Sequence, residues 1–289
     1  MALGLTTNSH QLDLAISGDR RCLAKILTKI ESGFVPIMEV QNPWTLGVTG
    51  PPGAGKSTLI GNLISEWIKR GEKVAVLAVD PSSPKSGGAL LADRIRMQGE
   101  ESSNSVFIRS IASRNHPGGL SLFIGHMVNV LCACGWTRII IETVGSGQSQ
   151  TRIVAFADRI LLVEGPDRGD IIQAEKAGIL ELADIVVVNK SDISSSKLAF
   201  NSLNSSLTLN HDSSISTHLV SALNGNGVEN LLSSIEECPK SSQREIIRQR
   251  ERLLSIWDSR LLNYPGLNHI LEQLSTGSIT LEEAADEID

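Results

Sequence analysis

Gly50-Pro51-Pro52-Gly53-Ala54-Gly55-Lys56-Ser57, followed by Thr58, fits the phosphate-loop pattern G-x-x-x-x-G-K-[ST]. An apolar run, Trp44 to Val48, precedes it, and a helix-like stretch from Lys56 to Arg70 follows. That strand–loop–helix context predicts a nucleotide site. Glycines let successive backbone N–H groups face one anion without Cβ clashes. The helix starting there directs its positive dipole end at the phosphates. Lys56 is placed to neutralise the β- and γ-phosphates, and the Ser57 hydroxyl to ligate Mg²⁺. The loop residues Gly50, Pro52, Gly53, Ala54, Gly55, Lys56, Ser57 and Thr58 are the expected phosphate contacts.

Further along, Asn189-Lys190-Ser191-Asp192 follows the apolar run Ile185 to Val188 and fits the N-K-x-D guanine reader. A carboxylate only accepts hydrogen bonds. Guanine offers two donors on one edge, and adenine offers neither in that geometry. Asp192 therefore selects guanine, since adenine would leave a carboxylate unpaired. Asn189 is expected to hold the loop, with the Lys190 stem over the base. Ser221-Ala222, after Thr217 to Val220, matches a second base contact; an ordinary strand end reads the same way.

The chain has 289 residues, 41% of them hydrophobic, enough for one large α/β domain with extensions. Its 26 basic and 32 acidic residues give a net charge of -6, so no basic face for nucleic acid is implied. Aromatic residues make up 3%, too few for a surface that stacks single-stranded bases. The cysteines, Cys22, Cys132, Cys134 and Cys238, read as reduced thiols of a cytoplasmic protein. Cys132-x-Cys134 suits small buried helix positions better than metal ligation, because residues two apart on a helix face apart. No apolar run approaches the about 18 residues that span a bilayer. Met1 to His10 carries no basic-then-apolar leader. No membrane association is expected.

Strand-like runs at 45–49, 73–79, 106–110, 138–142, 159–163, 184–188 and 217–220 alternate with helix-like stretches. The helical candidates are 56–70, 88–98, 120–134, 149–156, 170–180, 194–205 and 228–237. Continuous apolar strands belong to a parallel sheet covered on both faces. The pattern predicts a doubly wound, mostly parallel α/β sheet of the P-loop class over 41–240. A helical extension over 1–40, with Asp19 as N-cap, precedes it. The Ser- and Asn-rich stretch 201–216 reads as a surface connection. From 241 to 289 the chain reads as a helical arm. Its long helix, Gln243 to Asn263, carries Ile246, Ile247, Leu253, Leu254, Trp257 and Leu261 at helical spacing. This apolar surface can fold back on the core or meet a second subunit, and periodicity leaves both open. Thr280 and Glu283 have capping-box spacing.

Acids near the phosphate loop supply the remaining chemistry. Asp80 ends the second strand, where a Mg²⁺ ligand belongs. Asp93 lies in a Gly-led segment that reads equally as a switch and as a solvated helix. Glu142 ends Ile139-Ile140-Ile141 and begins E-T-V-G, a variant of the γ-phosphate-sensing D-x-x-G loop. The Gly145 N–H is free of side-chain hindrance there. Ser57, Asp80 and Glu142 are the candidate metal set.

These stretches together resemble the MeaB/MMAA/ArgK family. The carriers are the Gly50–Ser57 loop, V-D-P-S-S-P at 79–84, Gly87-Gly88 with Asp93-Arg94, E-T-V-G-S-G-Q-S at 142–149, K-A-G-I-L-E-L-A-D at 176–184 and N-K-S-D at 189–192. The start, Gly18-Asp19-Arg20-Arg21 with Leu23-Ala24, is similar to the family's N-terminal helix. The resemblance implies a SIMIBI-class GTPase that uses GTP/GDP and Mg²⁺. It implies Asp93 as a further member of the metal set, and Lys56, Asp93 and Glu142 as the catalytic set. It implies a chaperone of an adenosylcobalamin-dependent acyl-CoA mutase, gating cofactor delivery from a cobalamin adenosyltransferase and protecting or rescuing the mutase. It implies slow hydrolysis that the mutase stimulates, and a homodimer joined through the C-terminal arm. Some members carry an older label as a basic amino-acid transport kinase, against which Asp192 speaks. The loop Gly165 to Lys176 corresponds to an extra switch, with Asp167, Arg168, Asp170, Gln173 and Lys176 facing the partner. Here the chain departs from the usual P-G-x-G-D, and Arg168 adds a charge. Ser146 replaces a common Val, and Gln150 a common acid. These departures point to a client other than methylmalonyl-CoA mutase, such as a mutase of a branched or hydroxylated acyl-CoA. Arg152 and Arg168 are the arginines that could be recruited to the phosphates. A metal-inserting GTPase is the alternative reading, although His116, His126, Cys132 and Cys134 lack ligand spacing. A small-molecule kinase and a nucleotide-gated scaffold complete the alternatives.

Overall fold

The computed structural model describes residues 10–39, 41–80, 104–112, 123–143, 152–166, 180–209, 215–240 and 244–288. These build a seven-stranded, all-parallel sheet. The strands are β1 (Thr45–Thr49), β2 (Val74–Asp80), β3 (Val106–Ala112), β4 (Arg138–Thr143), β5 (Arg159–Glu164), β6 (Ile185–Val188) and β7 (Ser216–Leu219). Their spatial order is β3-β2-β4-β1-β5-β6-β7. The chain thus builds outward from β1 to one edge, returns to β4, crosses β1 to β5 and continues to the other edge. Such a reversal beside a central strand opens a crevice at the strands' carboxyl ends. All seven strands fall on the strand-like runs of the sequence; the central ones are apolar and buried on both faces, whereas the edge strand β7, Ser-Thr-His-Leu, is only half-buried.

Helices cover both faces. On one lie α1 (Arg20–Glu31), α3 (Phe123–Ala133), the 3₁₀ turn Ile153–Ala155 and α4 (Ser195–Leu209); on the other lie α2 (Lys56–Lys69) and α5 (Val228–Glu237). Asp19 caps α1, its carboxylate accepting from the Arg21 and Cys22 N–H groups at 2.8 and 3.0 Å. The α1 face of Leu23, Ile26, Leu27 and Ile30 is buried against the sheet. Arg109 of β3 joins it through Glu31 at 3.1 Å, so α1 covers the β3 edge.

Two expectations need correcting. The Ser- and Asn-rich stretch begins as helix, because α4 runs to Leu209. Ala199, Leu203 and Leu207 recur every four residues and are buried, and that stripe outweighs poor propensity. Of the helix expected at 149–156, the described part is mainly the single 3₁₀ turn Ile153–Ala155. The helical stretches expected at 88–98 and 170–180 lie outside the described residues, apart from Leu180.

The tail forms α6 (Glu245–Leu262), α7 (Leu267–Thr276) and α8 (Leu281–Ile288). The capping box opens α8: the Thr280 N–H donates to Glu283 Oε2 at 2.8 Å, and the Glu283 N–H to Thr280 Oγ1 at 3.2 Å. Helix α6 folds back on the core, but with its polar face. Arg248, Glu251 and Ser255 are buried, while Ile246, Leu253, Leu254, Trp257 and Leu261 are exposed. Among the described residues no helix is long and apolar enough to cross a membrane.

Candidate nucleotide site

The phosphate loop joins β1 to α2 at the carboxyl end of the central strand. Its glycines are there for stated reasons. Gly50 has φ 141°, and a β-carbon on it would stand 2.0 Å from the Val163 carbonyl oxygen of β5. Gly55 has φ 90°, and a β-carbon would meet Asn189 Nδ2 at 2.4 Å. The loop can close against its neighbours only without side chains at these positions. Lys56 begins α2 with its ammonium buried, donating to the Gly50 and Pro51 carbonyls at 2.8 and 2.9 Å. The cation thus sits across the loop, where an anion in the cradle would be met by charge and by N–H groups together.

Ser57 and Glu142 come together. The Ser57 hydroxyl donates to Glu142 Oε1 at 3.0 Å, and Glu142 is fully buried on β4. Register explains the meeting, since Glu142 pairs with Val48 of β1 and with Ala78 of β2. Asp80 closes β2 two positions beyond Ala78. A hydroxyl beside a carboxylate is an oxygen donor set of the kind that suits a hard cation such as Mg²⁺. Asp93 and Gly145 lie outside the described residues, as do Asp167, Arg168, Asp170, Gln173 and Lys176.

The residues expected to read a base converge through one amide. Asn189 is buried and follows β6. Its Nδ2 donates to the Ala54 carbonyl at 2.9 Å, and its Oδ1 accepts from the Lys190 and Ala222 N–H groups at 2.8 and 2.9 Å. One side chain therefore ties the phosphate loop, the N-K-S-D turn and the Ser221-Ala222 turn into one frame. Lys190 adopts φ 64°, the left-handed conformation that turns the chain toward Asp192. The Ser221 hydroxyl donates to Asp192 Oδ1 at 2.5 Å, which orients the carboxylate at the open edge of the site. Ser221-Ala222 is thus joined to the N-K-S-D turn at both residues.

Sequence reasoning missed Asn62. On α2 its Nδ2 donates to the Ala222 carbonyl at 2.7 Å, a further strut between the phosphate-loop helix and the base turn. The available signal was an amide inside the apolar run Leu59-Ile60-Gly61-Asn62-Leu63-Ile64. Arg152 is held by an ion pair with Asp258 of α6. All four cysteines are free thiols, and burial pushes the Cys134 thiol up to about 11. Among the described residues no three His, Cys, Asp or Glu side chains form a metal-holding group.

A seven-stranded parallel sheet with this loop, lysine and guanine-type frame defines the P-loop GTPase class. Residues 36–261 match the profile of methylmalonyl Co-A mutase-associated GTPase MeaB, and the chain belongs to that family. A Pyrococcus abyssi protein with a provisional GTPase name is 45% identical over 203 residues, 68% of this chain and 63% of that relative. The chain thus spans less than two thirds of that relative's length. The fused isobutyryl-CoA mutase of Cupriavidus metallidurans is 38% identical over 193 residues, 63% of this chain and 18% of that protein. The crystal structure titled LAO/AO transport system kinase shares the fold, with a TM-score of 0.65 at 24% identity over 98% of this chain and 96% of its own.

Proposed function

We propose that this chain binds and hydrolyses GTP and serves as a chaperone for an adenosylcobalamin-dependent acyl-CoA mutase. The observation that carries the nucleotide reading is the Asn189 amide. It joins the phosphate cradle to the turn bearing Asp192, so phosphates and base are recognised by one rigid frame. Asp192 accepts from guanine, with Ser221 and Ala222 as backing. Lys56 and the loop N–H groups hold the phosphates. Ser57 and Glu142, joined by Asp80 and Asp93, would hold the accompanying Mg²⁺, which screens phosphate charge when bound. Lys56, Asp93 and Glu142 carry the catalytic roles in this reading. Glu142 sits at 0% exposure next to Ser57, where it can orient a water toward the terminal phosphate.

The mutase assignment is supported by family membership and by the relative in which a homologous segment is fused to isobutyryl-CoA mutase. That relative favours a branched acyl-CoA mutase as client. Asp167, Arg168, Asp170, Gln173 and Lys176 form the client-facing stretch, and a cobalamin adenosyltransferase is the second partner. The working unit is a cytoplasmic homodimer. The outward apolar face of α6, bearing Leu253, Leu254, Trp257 and Leu261, supports this, since monomers rarely expose such a stripe.

Competition binding tests the nucleotide reading. GDP displaces a fluorescent guanine nucleotide from the protein at micromolar concentration, and ADP does not. Equal displacement by both would overturn it and favour the small-molecule kinase.

A further inference from the structure

Helix α6 is fastened to the sheet domain by arginines that reach backbone carbonyls. Arg244, Arg248 and Arg252 stand at successive four-residue steps and face the same way. Arg248 Nε and Nη2 donate to the Val154 and Ala157 carbonyls, each at 3.2 Å. Arg252 Nε donates to the Ala155 carbonyl at 2.7 Å. Arg244 donates to the carbonyls of Asp158 and Leu182 and to the Asp184 carboxylate. One turn beyond Ser255, Asp258 pairs with Arg152.

The segment so gripped is buried and closely packed. Ile153, Val154, Ala155 and Ala157 are each 0% exposed. A β-carbon on Gly47 of β1 would stand 2.7 Å from Ile153 and 2.9 Å from Ala157, so the segment lies directly on the strand that enters the phosphate loop. Carbonyls buried there need donors, and α6 brings them from outside the sheet domain. In the sequence, Arg152–Asp158 follows the E-T-V-G-S-G-Q-S stretch, and Leu182–Asp184 follows the Gly165–Lys176 stretch. One helix and its N-cap therefore hold the chain that follows each of these two stretches, the first assigned to phosphate sensing and the second to the client-facing switch. The same helix turns its apolar face outward.

We propose that Arg252 and Asp258, with Arg248, are positioning residues for GTP hydrolysis, through which α6 and the bound nucleotide set each other's geometry. This rests on the nucleotide reading of the preceding subsection. The ion pair and the carbonyl bonds fix where the chain re-enters the core after Glu142. A displacement of that re-entry by the terminal phosphate is transmitted to α6, and a displacement of α6 returns to the phosphate site, as linkage requires.

Arg248→Ala removes a fully buried side chain and tests folding as much as coupling, so Arg252→Ala and Asp258→Asn are the informative variants. Backbone hydrogen exchange across Glu245–Leu262 is followed with GDP and with a non-hydrolysable GTP analogue, beside GDP affinity and kcat. In the wild type the exchange rates in the two states differ by about fivefold or more, the lower end of typical coupling. Both variants stay folded at the assay temperature, Arg252→Ala with a lowered melting midpoint because the Ala155 carbonyl loses its donor; GDP affinity is retained, kcat falls about tenfold, and the exchange difference collapses. Arg252→Lys, which keeps a donor for the Ala155 carbonyl, recovers most of kcat. Identical exchange in the two states of a wild type that hydrolyses GTP would overturn the inference alone. So would wild-type kcat in both folded variants. A wild type that binds no guanine nucleotide would overturn the nucleotide reading, and this inference with it.

Discussion

Asn189 Oδ1 accepts the Ala222 N–H at 2.9 Å, and this contact fixes the separation between the N-K-S-D turn and the Ser221-Ala222 turn. Asp192 and Ser221, whose own contact is 2.5 Å, are consequences of that spacing. The carboxylate is presented by a turn whose neighbours are already bonded, so little ordering remains for the ligand to impose.

Asp192→Asn exchanges an acceptor for an amide that also donates. Guanine then loses its charge-assisted pair, and GTP affinity drops on the order of 100-fold. Xanthine presents a carbonyl where guanine presents its amino group, so the variant gains affinity for xanthosine triphosphate. Isothermal titration with both nucleotides checks this, and undiminished GTP affinity would contradict it.

Gly50→Ala places a methyl where the Val163 carbonyl oxygen stands 2.0 Å away, at a φ of 141° that L-residues rarely adopt. The phosphate loop and β5 must part, at a cost of about 3 kcal/mol or more. The expected result is loss of nucleotide binding together with a lower thermal midpoint. Gly53→Ala, at φ 79° with nothing within 4 Å of the added carbon, is the milder control.

The strands were legible because parallel strands buried on both faces must be continuously apolar, as Val74 to Val79 and Ile139 to Ile141 are. The turns that carry the proposed base and phosphate motifs were legible because their spacing is set locally, and the structure brings them together through Asn189. The docking of α6 was not. Its apolar residues announce a buried stripe, yet the helix seats Arg248 and Arg252 instead, because carbonyls of Val154, Ala155 and Ala157 require donors. That requirement resides in a segment more than ninety residues upstream (Arg248 to Val154 spans 94 positions), beyond any periodicity. Helix α4 was expected over 194–205, and only its last turn, to Leu209, was missed, because Ser and Asn outnumber the buried Leu203 and Leu207 there.

Trp257→Asp tests the outward face of α6. Trp257 is 47% exposed within the single chain, so the fold tolerates the change to within about 0.5 kcal/mol. A charge on a dimer-forming stripe is strongly disfavoured, and sedimentation of the variant gives a monomer where the wild type gives a dimer. A wild-type monomer at tens of micromolar would contradict the dimer.

Cys134 gives a pH-dependent signature. Its thiol rises from 9.0 to about 11 because burial disfavours the thiolate. A raised folded value means the contribution is whole below 9.0 and is lost as pH climbs from there to about 11. Stability of the wild type therefore falls across that window, and Cys134→Ala flattens the fall. At about pH 8 the native thiol resists alkylation; rapid modification there would contradict the burial argument.

In the proposed function a client mutase governs GTP hydrolysis by this chain. The direct measurement is the rate of GTP hydrolysis with Mg²⁺, alone and with purified adenosylcobalamin-dependent acyl-CoA mutases, with ATP as control. The expected result is slow hydrolysis alone, at least about tenfold stimulation by one mutase, with a branched acyl-CoA mutase foremost, and no ATP turnover. Tight GTP binding with a rate unchanged by every mutase in the panel would contradict it.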